Sequence, residues 1–336
     1  MDRKRLHLFS FPLKKKPYPI QTMKRSYYHL ILLCTALCLA ACNKEESGAS
    51  DPRTSQDKPI SLIGNEAKPY QQRMEVPAVK DHSMFIVHST NKYGVTYTEE
   101  WDKELRTQRW AAYALTDLNA VNNWNRNNWR GSTWKGAYWD GDPFQEDSII
   151  PHMYRTYASD HYNNGFDRGH IVNSQDRLMS QHANGQTFYL SNMQPQLNAF
   201  NSGIWLNMEN WVHNLGFNKT KRKTLFVVKG GTTTPTTAIP SPLLSSDEVY
   251  ALTYRHCTIP VPRYFWMAIL RLDNSNQYHG IAFWVEHTKN TASNIKNYTI
   301  SIDELEARTG IDFFPNLPDE VEAEVEAKRD LTDWSW

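Results

Sequence analysis

Between residues 165 and 209 the chain gathers side chains that can move protons and hold charge. Gly165-Phe166-Asp167-Arg168-Gly169-His170 comes first. Asn192 follows twenty-two residues after His170, within Ser191-Asn192-Met193-Gln194-Pro195-Gln196. Asn201 comes nine residues later, in Asn201-Ser202-Gly203-Ile204-Trp205, and Glu209 eight residues after that. A phosphodiester is cut when a water is activated, the phosphoryl oxygens are neutralised and the leaving oxygen is assisted. A neutral histidine takes a proton near neutral pH because its ordinary pKa lies close by. A divalent cation stabilises both the phosphoryl group and the leaving oxygen. Arg168, two residues before His170 on an extended segment, shares its face and could pair with phosphate in bidentate fashion.

Residues 202–215 place Trp205, Met208, Trp211, Val212 and Leu215 at helical spacing. On such a helix Asn201, Trp205 and Glu209 drift by about 40° per step, and Asn201 and Glu209 lie about 12 Å apart along the axis on one broad face. With Asn201 opening the helix, the positive end of its dipole would also favour phosphate. A single Asn ligand leaves Mg²⁺ almost fully charged and mostly hydrated, and Glu209 could hold the outer waters. Taken one at a time, each residue also has a plain structural reading. His170 could be a packed histidine, Asn192 a turn cap, Asn201 a helix N-cap and Glu209 part of a solvated face.

Together, the D-R-G-H segment, the S-N-M-Q-P-Q segment and the N-x-G-x-W-x-x-x-E helix resemble, in order and spacing, the DNA/RNA non-specific endonuclease family. These are the ββα-metal nucleases related to mitochondrial endonuclease G. Thr309-Gly310-Ile311-Asp312-Phe313-Phe314 is similar to the family's closing segment, so the resemblance runs from about Phe85 to Pro315. It implies an α+β fold, a central antiparallel sheet flanked by helices, with a ββα-metal finger carrying the site. It implies His170 as general base, Asn201 as the direct Mg²⁺ ligand (Mn²⁺ being the alternative) and Glu209 orienting metal-bound water. Asn192 would position the His170 side or the metal waters, Arg168 would stabilise the phosphoryl transition state, and Asp167 would brace the motif. The implied activity is cleavage of DNA and RNA through the phosphate backbone, leaving 5′-phosphates. Asn173 stands where relatives usually carry Pro, a change that removes no catalytic group. A second arginine often assists the phosphate in this family; Arg126, Arg130 and Lys135 are the candidates here, without a clean context to choose among them.

The elements that must position these residues come from apolar patterning. Runs rich in aromatic and β-branched residues predict strands over 85–88, 109–115, 187–190, 224–229, 264–272 and 280–285. Residues 119–138, dense in Asn, Trp and Gly, predict a long surface loop. Ser301-Ile302-Asp303-Glu304 resembles a helix capping box, with Gly310 as the stop. Strands, a helix, then more strands argue for α+β rather than a doubly wound sheet. Forty per cent of residues are hydrophobic and 12% aromatic, which excludes a mainly disordered chain. No G-x-G-x-x-G, P-loop, H-E-x-x-H or G-x-S-x-G occurs, so the common cofactor and hydrolase signatures are missing.

The N-terminus reads as an address. The apolar run over 31–42 follows Lys24 and Arg25 and ends Leu39-Ala40-Ala41-Cys42, which resembles a bacterial lipobox. That implies cleavage before Cys42, lipidation of its thiol, and a place in the cell envelope as an outer-membrane lipoprotein facing the periplasm or the exterior; Met23 is the alternative start. Asn43-Lys44-Glu45-Glu46 looks like the surface-export signal of some Gram-negative lipoproteins. The expected organisation is a signal over 1–41, a lipidated Cys and flexible linker over 42–80, an endonuclease domain over 81–317 and an acidic tail over 318–336. Residues 1–41 carry a net charge of +7, residues 42–300 about +2 and residues 301–336 −8. This is not a strong nucleic-acid footprint, so polyanion binding must come from local clusters such as Lys219, Lys221, Arg222 and Lys223. Cys257 is the one thiol expected in the folded domain, a small hydrophobe rather than a nucleophile. Two rival readings remain open: a degenerate nuclease fold that binds polyanions or a partner without cleavage, and a phosphodiesterase for small or lipid-linked substrates, which needs a closed pocket.

Overall fold

The protein is described by a computed structural model covering residues 57–129, 143–161, 165–233, 249–254, 257–289 and 293–336. Met23, Cys42, the apolar run over 31–42, Arg130 and Lys135 lie outside the described residues, as does the 130–138 part of the surface loop expected over 119–138. Strands β1 (Pro59–Ile63), β2 (Met84–Thr90), β3 (Gly94–Asp102) and β4 (Thr107–Leu115) pair in succession, all antiparallel. β5 (Asp167–His170) and β6 (Met193–Gln196) make a separate two-stranded ribbon, with α1 (Gln181–Gln186) between them. A helical run follows: α2 (Asn198–Phe200), a π turn (Asn201–Trp205) and α3 (Leu206–Phe217). β7 (Thr224–Gly231) then pairs with β4. β8 (Val249–Tyr254) and β9 (Cys257–Pro262) pair with each other. β10 (Tyr264–Leu272), β11 (Tyr278–Glu286) and β12 (Thr299–Ile300) complete an eight-stranded sheet of order β1-β2-β3-β4-β7-β10-β11-β12. Helices α4 (Ile302–Thr309) and α5 (Asp319–Glu326) close the chain. This is the expected α+β architecture, a large antiparallel sheet with helices on it.

Side chains of a strand point alternately to the two faces of its sheet, and here both faces are covered. Phe265, Met267 and Ile269 of β10 join Tyr113 and Leu115 of β4 in one core, against α3. Trp266, Ala268 and Leu270 join Trp110 and Ala112 in the other, against Ile302 and Leu305 of α4 and the 311–317 segment. That is why β10 reads as an apolar run from Tyr264 to Leu270. Met208, Trp211, Val212 and Leu215 of α3, predicted to share a face, are buried together in the first core with Trp205. The expected cap of α4 is present: the Glu304 amide donates to Ser301 Oγ at 3.1 Å, and Gly310 ends the helix at φ 63°, a left-handed conformation that glycine adopts without strain.

Four expectations need correction. Residues 187–190 are not a strand: Thr187 Oγ1 donates to the Asn184 carbonyl at 2.7 Å, extending the end of α1, and a 3₁₀ turn over Leu190–Asn192 follows. The linker expected up to residue 80 contributes β1, which covers the edge of β2, and residues Ala67 and Val76 are buried. Its polar composition hid a short edge strand. The acidic tail, expected to lie beyond the domain, is packed into it: Val325 belongs to one core and Trp334 to the other. Trp211 donates to the Ser335 carbonyl at 2.7 Å and stacks on Trp336 at 5.1 Å. Finally, the helix does not begin at Asn201. It starts at Asn198, and its ladder is broken at Gly203 (φ −103°, ψ −112°), so Asn201 lies inside a kinked helical run and the dipole argument for its N-terminus falls.

Candidate active site

The ribbon holds His170 opposite Met193 and Asp167 opposite Gln196. Gly169 separates Arg168 from His170 for a steric reason: a Cβ there would run into the Gln196 side chain. Behind His170 the chain is pinned by Asn192. Its Oδ1 accepts from the Val172 amide at 2.8 Å, its Nδ2 donates to the carbonyls of Val172 (3.0 Å) and Thr187 (2.7 Å), and its own carbonyl accepts from the Ile171 amide at 3.0 Å. The His170 ring stands edge-on to Phe188 at 4.9 Å and 5.9 Å from Phe144. Trp205 Nε1 donates to the His170 carbonyl at 3.4 Å. Its Nε2 has no hydrogen-bond partner among the described residues. Burial, then the cations Arg126, Arg168 and Lys229, hold its pKa well below the usual histidine range.

The π turn brings the helical run to the ribbon. Asp167 Oδ2 accepts from the amide nitrogens of both Asn198 and Asn201 at 3.0 Å. The carboxamide of Asn201 is thereby oriented with its nitrogen on Asp167, leaving its oxygen as the free acceptor. One turn into α3, Glu209 is buried and ion-paired with Lys229 Nζ of β7 at 3.1 Å. Lys229 is fully buried and lies 5.7 Å from the Trp205 ring and 5.8 Å from that of Tyr113. Burial raises the Glu209 pKa although Lys229 opposes the rise. Nearby Asp176 is also buried. Burial pulls its pKa up, but His213 at 2.9 Å, Lys229 and the Tyr113 hydroxyl at 2.6 Å outweigh that and hold it below the usual value.

His170, Arg168, Asn201 and Glu209 line one cleft of about 420 Å³, together with Asp167, Arg126 and Asn173. Asn192 does not line it; the structure uses its carboxamide to fix the segments behind His170. Arg126, one of three candidates for a second arginine, reaches the cleft, donates to Ser174 Oγ at 3.1 Å and lies 4.9 Å over the Phe188 ring. Arg168 lies 4.3 Å over Phe144. Asn173, in the place of the usual Pro, caps a turn by accepting from the Gln175 amide at 3.1 Å. Sequence reasoning missed Lys229 and Asp176; the single lysine inside the apolar run Thr224–Gly231 was the available signal. The basic cluster at 219–223 does not form one patch, because Arg222 is buried and bonded to the Gly216 carbonyl and to Asp117. The donor set of the cleft, a carboxamide oxygen and a carboxylate, fits a hard divalent cation.

A kinked helical run thus packs across a two-stranded ribbon, with His170 on the strand and Asn201 on the helical run. The sequence profile of the DNA/RNA non-specific endonuclease family matches residues 86–320, and the chain belongs to that family. Nuclease C1 of Cunninghamella echinulata var. echinulata is 31% identical over 180 residues, covering 52% of this chain and 67% of its own length. A nuclease of Nostoc sp. is 30% identical over 200 residues, covering 56% and 65% respectively. Nuclease EXOG, mitochondrial, of Danio rerio is 24% identical over 233 residues, covering 68% and 61%. The matches span between 61% and 67% of these curated relatives' lengths. In fold, the chain is similar to a chain of the crystal structure of an EndoG/EndoGI complex, with a TM-score of 0.58 and 22% identity, covering 74% of this chain and 92% of that one.

Proposed function

We propose that the protein is a metal-dependent endonuclease that hydrolyses phosphodiester bonds of DNA and RNA with little sequence preference. The observation that carries this reading is the convergence of His170, Arg168, Asn201 and Glu209 on one cleft. His170 is the general base: its unpartnered Nε2 takes the proton of the attacking water. With its pKa held low it is neutral, and so able to accept, throughout the neutral range. An arriving phosphate neutralises the guanidinium charges that depress it, so its basicity rises when substrate is bound. Arg168 and Arg126 bind the phosphoryl oxygens, each held by the aromatic ring beneath it. Asn201 would hold a divalent cation, Mg²⁺ by its oxygen donors, with Glu209 beside it; when bound the cation supplies positive charge to the phosphoryl and leaving oxygens. Asn192 and Asp167 are positioning residues. Backbone recognition accords with the lack of a base-reading motif. Anchoring through a lipid on Cys42 in the cell envelope belongs to the same proposal and rests on the lipobox-like sequence.

The test is digestion of supercoiled plasmid and of RNA with Mg²⁺ or with EDTA, beside a His170→Ala control. Cleavage that requires metal and vanishes in the variant is expected. Intact plasmid and RNA from folded, metal-supplied protein would overturn the proposal.

A further inference from the structure

Away from the cleft, three ionisable side chains meet in a dry part of the fold. His88 of β2, Glu99 of β3 and Asp147 of the 143–150 segment are all buried, at 0%, 0% and 2% exposure. None of them lines the cleft at His170. Glu99 pairs with Ile86, two residues from His88, so both side chains leave the same face of the sheet. His88 Nε2 lies 3.2 Å from Asp147 Oδ2 and 3.5 Å from Glu99 Oε1, and one ligand atom from each residue lies within 4.8 Å of the others.

The contacts are close, yet they are not aligned hydrogen bonds. Among the described residues, His88 Nε2 and both carboxylate oxygens of Glu99 have no aligned hydrogen-bond partner. The imidazole stands close to both carboxylates without a well-formed bond to either. Leaving a charged carboxylate buried without a partner is strongly unfavourable. Two contacts hold the cluster in place. His88 Nδ1 is 2.9 Å from Ser61 Oγ on its outer side, and Ser191 Oγ donates at 2.9 Å to Asp147 Oδ2, the same oxygen that faces His88 Nε2. With Nδ1–H donating to Ser61, Nε2 presents its lone pair inward, the arrangement in which a second partner fixes a metal-binding histidine. The separations also fit: bonds of about 2.0–2.1 Å in a tetrahedral site place ligand atoms about 3.3 Å apart.

We propose that His88, Glu99 and Asp147 form a structural Zn²⁺ site, with one imidazole nitrogen and two carboxylate oxygens as ligands, separate from the catalytic cleft. Two carboxylates and a divalent cation are neutral together, and the ion gives His88 Nε2 and Glu99 the partner they lack while sharing the Asp147 oxygen with Ser191. Because the cluster is enclosed, the metal enters as the chain folds and is held against chelators afterwards.

The test uses the full chain, unfolded and refolded with Zn²⁺, passed through EDTA, and assayed for bound metal by mass spectrometry. About one equivalent is expected in the wild type and in Asn201→Ala, and at least a tenfold loss in Glu99→Gln, a change of almost identical shape. X-ray absorption of the zinc-loaded wild type, which needs no variant, should show one imidazole and otherwise oxygen ligands. Wild type that retains no more zinc than Glu99→Gln, a zinc shell without imidazole, or zinc lost in Asn201→Ala and kept in Glu99→Gln would overturn the proposal. None of these readouts depends on nuclease activity.

Discussion

Replacing Lys229 by Met tests the electrostatics beneath the cleft. The methionine nearly matches the lysine in length and apolar character, so the main change is loss of one charge. Lys229 is fully buried and Glu209 nearly so, 3.1 Å apart. At that separation two unit charges interact by about 5 kcal/mol at an effective dielectric of about 20. Removing one partner of a buried pair typically costs about 3–5 kcal/mol, because the other charge is left stranded. Glu209 can limit the loss by taking up a proton. Its pKa is already raised by burial, with Lys229 the strongest opposing influence, so Lys229→Met drives it higher. A carboxyl whose folded pKa lies above its unfolded value has its stability fully present below the unfolded pKa, near 4.3, and loses it as pH rises through the folded one. Urea unfolding should therefore find Lys229→Met close to wild type near pH 4.5 and about 3–5 kcal/mol less stable by pH 8. Adding Glu209→Gln should recover most of the loss, giving a coupling of about 2 kcal/mol or more. A deficit under about 1 kcal/mol that is the same at both pH values, with no recovery in the double variant, would refute the reasoning.

Activity should persist as pH falls below 6.5, because His170, depressed by burial and by Arg126, Arg168 and Lys229, stays neutral there; Arg126→Gln should move the acid limb of the pH–rate profile upward. Asn192→Ala should lower stability by about 3 kcal/mol in urea unfolding, since it strands the Val172 amide and two carbonyls in the interior. Trp334→Ala should cost about 3 kcal/mol in the same assay, although it lies in a segment that reads as a charged tail.

The motifs carried most of the site. Their spacing was enough to gather His170, Arg168, Asn201 and Glu209, because the ribbon and the helical run that bear them are local in sequence. The strands β10 and β11 and the apolar stripe of α3 were legible for a similar reason: each is a long, one-purpose pattern. β3 was not, because Thr96, Thr98, Glu99 and Glu100 are polar and nevertheless buried. Their partners stand on the neighbouring strands, defined only once the sheet has formed, as when Arg109 of β4 bonds Glu100 or His88 of β2 approaches Glu99. Asn192 was legible in position but not in action, since its backbone partners are defined only once residues 172 and 187 have been brought to it. The kink at Gly203 was hidden behind a regular helical spacing. Lys229 was visible as an oddity in an apolar strand, but only the packing of α3 on β7 names Glu209 as its partner.

The C-terminal wrap also sets an order of events during synthesis. Trp211 sits on the helix that carries Glu209, and its indole bonds a carbonyl 124 residues further along, that of Ser335. Contacts that far apart in sequence close late. The outer face of α3 thus stays uncovered until residues 331–336 have left the ribosome. A chain that stopped before Trp334 would carry every residue of the cleft yet expose Trp211 and Phe283 where Trp334 and Trp336 should cover them, the kind of apolar surface by which quality-control proteases distinguish unfinished products.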